Sequence, residues 1–226
     1  MTTSSDLDKN NTFSPDRLDT RASLHELLSS RRSPRAFSDQ PIEPWKIISI
    51  FEAARWSPSS ANEQPWRFII ATKDDPDTFN ALHESLMEGN RRWTQDIPML
   101  VLGLAQTTYS RNGKPYRHAW YDLGQSVAHL TFQASALGLA VHQMGGFDAE
   151  KMRQLLAIPE GFEPVIVFAI GYADSPATLP DDLRRREEAP RSRKPLESFV
   201  HTEEWEKPSH HVQSQSSLLT QLPPNN

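Results

Sequence analysis

Three apolar runs, at residues 66–72, 99–105 and 165–172, are separated by longer stretches whose apolar residues recur at helical spacing. Short apolar runs of this kind read as buried strands. The helical stripe is clearest over residues 117–137, where Trp120, Leu123, Val127, Leu130, Ala134 and Leu137 share one face. Gly124 falls on the same face, where the missing side chain lets another backbone approach. A shorter strand is expected at residues 140–143, just before Gly145-Gly146. Strands alternating with helices call for a mixed sheet covered by helices, in an α/β or α+β domain.

Caps and breakers mark the remaining elements. Leu24, Leu27 and Leu28 form a helical stripe within residues 23–30, and Pro34 and Pro41 keep the helix from continuing. Pro44 suits the first turn of a second helix, with Trp45, Ile48, Phe51 and Arg55 expected inward or alongside. Residues 57–65 are a loop by composition, residues 77–88 a helix, and Asp148 caps another. Residues 174–194 are charged and proline-punctuated, and residues 195–205 form a mixed apolar and charged arm. A mean hydropathy of −0.61 is low for a chain able to bury a core. The polarity is concentrated at the ends: residues 1–20 and 207–226 read as disordered tails. Without them about 45% of residues are apolar, counting glycine, as in ordinary globular domains. One domain over residues 21–206 is expected.

Several chemistries are excluded. The chain has no cysteine, hence no disulfide, thiolate nucleophile, iron–sulfur cluster or Cys-ligated zinc of its own. No apolar run approaches the ~20 residues of a membrane span, and the N-terminus lacks an apolar signal segment, so a cytoplasmic location is the expectation. A net charge of −5 argues against nucleic acid or an anionic membrane as partner. There is no G-x-G-x-x-G, no phosphate loop, no H-E-x-x-H and no G-x-S-x-G. The eight histidines are scattered. His129 and His142 suit ordinary hydrogen bonds, and no metal site is expected.

What remains is anion and amide chemistry. Arg31, Arg32 and Arg35 fall within five residues, with Ser33 among them. Guanidinium forks grip phosphate oxygens bidentately and a hydroxyl adds a bond, although a solvated basic turn has the same composition. Arg191, Arg193 and Lys194 form a second cluster, while Arg184-Arg185-Arg186 is followed by Glu187-Glu188 and suits local charge pairing. In residues 58–68 (P-S-S-A-N-E-Q-P-W-R-F) hydroxyls and amides precede a strand. Amides offer donors and acceptors together, as the edges of a heteroaromatic ring require. Trp66 and Phe68 are expected in the core.

The ordered set of motifs resembles the nitroreductase family, FMN-dependent oxidoreductases. It comprises R-R-S-P-R-A-F at residues 31–37, the loop at 58–68, Gly89-Asn90 followed by Trp93 and Pro98, Asp122-Leu123-Gly124, Met144-Gly145-Gly146-Phe147 and Arg191-Ser192-Arg193. The resemblance spans residues 24–199. It implies an α+β fold with a mixed central sheet, in an intertwined homodimer with FMN sites at the interface. Arg31, Arg32, Arg191 and Arg193 would hold the FMN phosphate, with Ser33 near the phosphate or ribityl chain and Arg35 by the N1/O2 edge. Pro58, Ser59 and Ser60 would come from the opposite protomer, with Asn62 and Gln64 nearby. Asn90 would bond the pyrimidine edge, and the segment Met144, Gly145 and Gly146 would approach the ring.

The activity so implied is transfer of electrons from NADH or NADPH to an electron-poor small molecule such as a nitroaromatic or quinone, in ping-pong order. No protein acid or base need act, because the cofactor carries the chemistry. Reductive dehalogenation, flavin cleavage and non-catalytic flavin sensing are the alternatives. Trp93, Tyr109 and Tyr116 are candidates for a substrate rim or for core and dimer contacts. The late pair Arg191-Ser192-Arg193 departs from relatives that carry lysine first, and Trp56-Ser57 replaces smaller residues.

Overall fold

The computed structural model describes Thr20 and residues 22–212. Its elements run α1 (Glu26–Ser30), α2 (Pro44–Arg55), β1 (Trp66–Thr72), α3 (Pro76–Ser85), α4 (Glu88–Thr94), β2 (Met99–Gln106), α5 (Ala119–Ala136), β3 (Ala140–Met144), α6 (Ala149–Leu155), β4 (Phe162–Gly171) and α7 (Asp181–Glu188). Contacts divide the chain into one unit over Arg31–Glu188 and another formed by Met1–Ser30 with Ala189–Asn226.

The larger unit is built on a four-stranded sheet in the order β1-β2-β4-β3. The fold is α+β as expected. The sheet is not mixed: each neighbouring pair of the four runs antiparallel. The central strand β2 is apolar from Met99 to Ala105 and buried throughout. Side chains alternate along a strand. Met99, Val101 and Ala105 therefore enter a core with Ile50 and Ala54 of α2 and Leu123, Val127, Leu130 and Ala134 of α5. Leu100, Leu102 and Leu104 enter a second core with Phe79 and Leu82 of α3, Trp93 of α4, Met152 of α6 and Leu183 of α7. The expected Trp66 and Phe68 both join the first core.

Local chemistry sets the boundaries. Pro44 opens α2, and Asp148 caps α6 by accepting from the Lys151 backbone N–H at 3.0 Å. The buried face of α2 is Ile50 and Ala54, with Ile47 and Phe51 packed beside it, whereas Trp45 and Ile48 are exposed. On α5 the expected Trp120 is also exposed, and Asp122 and Ser126 are buried instead. Ser126 Oγ donates to Ala54 O at 3.1 Å, which lets a polar residue face α2. A Cβ built on Gly124 meets nothing within 4 Å, so no backbone approaches it within the described residues. The helix expected over residues 77–88 is two, α3 and α4, interrupted at extended Leu86 and Met87. The stretch 174–194 contains α7, whose first turn carries the helix-favouring acids Asp181 and Asp182.

In the smaller unit, α1 is shorter than the expected residues 23–30, and Arg191 Nη1 donates to Ser29 O at 2.9 Å. Residues 207–212, expected within the C-terminal tail, turn back so that Ser209 N–H donates to Val200 O at 2.9 Å. Residues 1–19 and 213–226, the rest of the two expected tails, lie outside the described residues.

Residues 31–37 are docked on the sheet of the larger unit by backbone and imidazole contacts. Phe37 bridges Ala173, and Asp174 N–H donates to Ala36 O at 3.0 Å. His142 of β3 donates Nδ1–H to Pro34 O at 2.8 Å, with its ring 4.6 Å from that of Trp93. Burial, together with the positive charge of Arg35, holds His142 neutral by pushing its pKa down to about 4.

Two outcomes test this architecture. Leu102→Ala, which empties a fully buried position on β2, should cost about 2–5 kcal/mol in urea unfolding. His142 stays neutral in the fold while the unfolded chain takes up a proton near pH 6.5, so its contribution is intact above that pH. It is lost as pH falls toward 4, an order-of-magnitude loss of about 3 kcal/mol. Unfolding midpoints measured stepwise from pH 7 to 4 should show this decline, and His142→Gln should flatten it.

Candidate functional site

The site residues of the larger unit gather in two places. The first lies beside the end of β3. There the chain emerges into Gly145 and Gly146, and Leu86 bridges Phe147. Gly146 O accepts from Met87 N–H at 3.0 Å and from Asn90 Nδ2 at 3.0 Å. A Cβ on Gly146 would sit 2.9 Å from Asn90 Nδ2, so only glycine leaves room for this amide. Around Gly145 a Cβ meets nothing within 4 Å, leaving that backbone open to a ligand. Asn90 Oδ1 accepts no hydrogen bond among the described residues. Met144, the third expected member of the segment, turns its side chain into the core, leaving its backbone in the β3–β4 ladder.

Residues 31–37 belong to the same neighbourhood. The Phe37 ring stacks on Trp93 at 6.3 Å, and Trp93 in turn lies against His142. Arg31 Nη1 donates to Ser33 Oγ at 3.1 Å, so these two expected phosphate groups already sit together. Arg32 is half-buried next to them. Arg35 is held by Glu187 of α7, whose two carboxylate oxygens accept from the Arg35 backbone N–H at 2.9 and 3.1 Å. The guanidinium Nη1 lies 3.6 Å from the same carboxylate. Local pairing therefore does not explain the run at residues 184–188: Arg184 does meet Asp181 at 2.9 Å, but Glu187 reaches across to Arg35. Next to Arg35 opens a cleft of about 210 Å³ lined by Phe37, Arg92, Trp93, Asp96 and Leu179. Arg92 there is engaged bidentately by Asp182 at 3.0 and 3.1 Å.

The second place is the loop before β1. Ser59 Oγ accepts from Gln64 N–H at 3.0 Å, and Gln64 Nε2 donates to Asn62 Oδ1 at 3.1 Å. Pro58, Ser60, Asn62 and Gln64 are exposed. Ala61, Asn62 and Gln64 all have φ between 51° and 55°. Non-glycine residues in this left-handed region are strained, and such strain persists only where surrounding bonds over-determine the backbone. Those bonds come from α5 and the residues before it. Ser60 N–H donates to Asp122 Oδ2 at 3.1 Å. The Tyr116 hydroxyl, in reach of both Ser60 O at 3.0 Å and the Asp122 carboxylate, divides its one proton between them. Burial and the Asp122 carboxylate push the Tyr116 phenol well above its ordinary range, so it stays a donor.

Tyr116 and Trp93, both candidates for a substrate rim from the sequence, are thus core residues, only 1% and 8% exposed. The indole Nε1 of Trp93 is buried with no acceptor among the described residues. Tyr109 packs on Tyr116 with ring centroids 4.5 Å apart. Asp122 and Glu187 are the residues that pattern reading missed as supports of the site. Asp122 lies at the flank of the apolar stripe of α5, where periodicity does not single it out, and nothing local to residue 187 points to residue 35. Arg191 and Arg193 belong to the smaller unit. Arg193 is exposed and donates to Ser192 O at 2.7 Å. Among the described residues no cluster of His, Asp or Glu could hold a metal ion, and no helix is long and apolar enough to cross a membrane.

Comparisons with known proteins match this architecture. The chain is 34% identical, with a TM-score of 0.79, to a crystal structure described as an oxidoreductase containing FMN, covering 86% of this chain and 98% of that one. It is 26% identical over 177 residues to a Stenotrophomonas maltophilia protein named as an NADH dehydrogenase/NAD(P)H nitroreductase, covering 70% of this chain and 89% of the relative. It is 27% identical over 191 residues to iodotyrosine deiodinase 1 of Rattus norvegicus, 72% of this chain and 66% of that protein. The family model for nitroreductases matches residues 28–92 and 73–172. The chain belongs to the nitroreductase family.

Proposed function

We propose that this protein is an FMN-dependent oxidoreductase that carries electrons from NADH or NADPH to an electron-poor small molecule such as a nitroaromatic or quinone. The observation that carries the reading is the junction at the end of β3, where an open Gly145 backbone and an Asn90 amide with a free acceptor share a neighbourhood with segment 31–37, docked through Pro34 on His142 and Phe37 on Trp93. The donor set fits FMN. Arginines and a hydroxyl match a phosphate dianion, an amide matches a pyrimidine edge, and glycine allows a flat ring to approach backbone. Arg31, Arg32 and Ser33 bind the phosphate end in this proposal, while Arg35 and Asn90 orient the ring.

FMN supplies reversible two-electron transfer when bound. The protein's part is to bind, orient and tune, which is why the site holds forks and amides without an acid–base dyad. A donor and an acceptor served by one cofactor take turns, giving ping-pong kinetics. The cleft of about 210 Å³ takes only Arg35 from the expected cofactor-binding residues, so further surface is needed to enclose the cofactor. We assign that surface to a second copy, whose residues 58–64 complete the site. Exposed Trp45, Ile48, Trp56, Trp120 and Tyr121 supply apolar area for such a homodimer. Reductive dehalogenation is the second reading, supported by the similarity to iodotyrosine deiodinase 1.

The test is anaerobic. Protein loaded with FMN should lose its yellow absorbance on addition of NADPH or NADH and regain it on addition of a nitroaromatic or quinone. Bleaching by neither nicotinamide overturns the donor assignment, and recovery with iodotyrosine alone favours dehalogenation. Arg31→Ala should weaken FMN binding about 10- to 100-fold, from loss of charge-assisted bonds worth about 1.5–3 kcal/mol, read by flavin fluorescence titration. Asp122→Ala should cost about 1–3 kcal/mol of thermal stability by stranding the Ser60 N–H, and should also lower FMN affinity if residues 58–64 belong to the site.

A further inference from the structure

Glu187 is out of place for a surface helix residue. It lies four positions after Leu183, so the two share a face of α7, and Leu183 is buried in the second core. Its side chain is only 8% exposed. A carboxylate in such a position needs partners, and it finds both in a single residue: the backbone N–H and the guanidinium of Arg35. The helix that presents it is fixed at its start by Asp182 gripping Arg92 and by Leu183 in the core. Arg35 is therefore held at its main chain and charge-compensated at its side chain by one group from a distant part of the sequence.

We propose that Glu187 is a positioning residue that sets the orientation and the effective charge of Arg35 and through it the reduction potential of the flavin, a proposal resting on the FMN reading above. Reduction adds negative charge to the N1/O2 edge of the ring, and a cation there favours the reduced form. A carboxylate behind that cation offsets part of its field. Glu187 thereby keeps the flavin a stronger reductant than an uncompensated arginine would allow, which suits delivery of electrons to poor acceptors. Glu187→Gln keeps the size and an acceptor for the Arg35 N–H but removes the charge.

The experiment measures midpoint potentials of FMN-loaded proteins by equilibration with a reference dye. In Glu187→Gln the reduced-to-oxidised ratio at a fixed ambient potential should rise about three- to tenfold, tenfold being about 30 mV for a two-electron couple. Glu188→Gln, which changes the net charge equally at an exposed neighbour, should leave the potential at the wild-type value. Glu187→Asp, which withdraws the carboxylate by one methylene, should shift it in the same direction by less and covers the case in which Glu187→Gln does not fold. An unchanged potential in Glu187→Gln, or in Glu187→Asp where that is the variant that folds, overturns the proposal and leaves the pair a structural contact. An equal shift in Glu188→Gln also overturns it. Wild-type protein that takes up no FMN fails the functional reading itself, a result separable from the others.

Discussion

Strand β2 is buried on both of its faces, and the rest of the larger unit depends on that constraint. Seven consecutive apolar residues cannot present one face to water, so each side of the sheet needs its own layer of helices. Helices α2 and α5 supply one layer, and α3, α4, α6 and α7 supply the other. With β1 and β2 paired on one side and β4 on the other, β3 falls at the sheet edge. The groups that would meet a flavin collect there: the glycines that leave β3, Asn90 on the neighbouring helix, and the arginine segment docked through His142.

Polar residues inside these layers are few, and several of them tie elements together. Ser126 ties α5 to α2, His142 ties the arginine segment to the sheet, and Asp122 with Tyr116 holds a strained loop. Buried polar groups without partners are costly, and a satisfied network specifies one arrangement. At Ser60 the arrangement matters more than its small energy. Three residues with positive φ stand in this loop, which α5 anchors at Ser60.

Much of this was legible in the chain. Strands β1 and β2 stood out because short apolar runs ended by turn residues have few other solutions, and the caps at Pro44 and Asp148 marked helix starts correctly. The order of motifs sufficed for the family and for the α+β class. Inward faces were harder. Trp45, Ile48 and Trp120 look like core by hydrophobicity, yet they are exposed in the single chain, because apolar character alone does not fix which side of a helix faces the sheet. Strand direction was not legible either, because antiparallel and parallel strands buried on both faces share the same composition. The Arg35–Glu187 pair spans 152 residues, and no local pattern encodes a contact at that separation. Local charge balance pointed instead to the arginines beside Glu187, of which, among the described residues, Arg184 alone forms an ion pair with a local acid.

The junction of the arginine segment, Asn90 and the Gly145-Gly146 backbone is proposed here as a flavin site. A crystal structure of the protein grown with FMN tests it most directly. The isoalloxazine should lie against Gly145 and Gly146 with the Arg35 guanidinium at its N1/O2 edge, the phosphate on Arg31 and Ser33, and residues 58–64 of a second copy over the ring. Density for FMN elsewhere on the chain, or a ring facing away from Arg35, would contradict it.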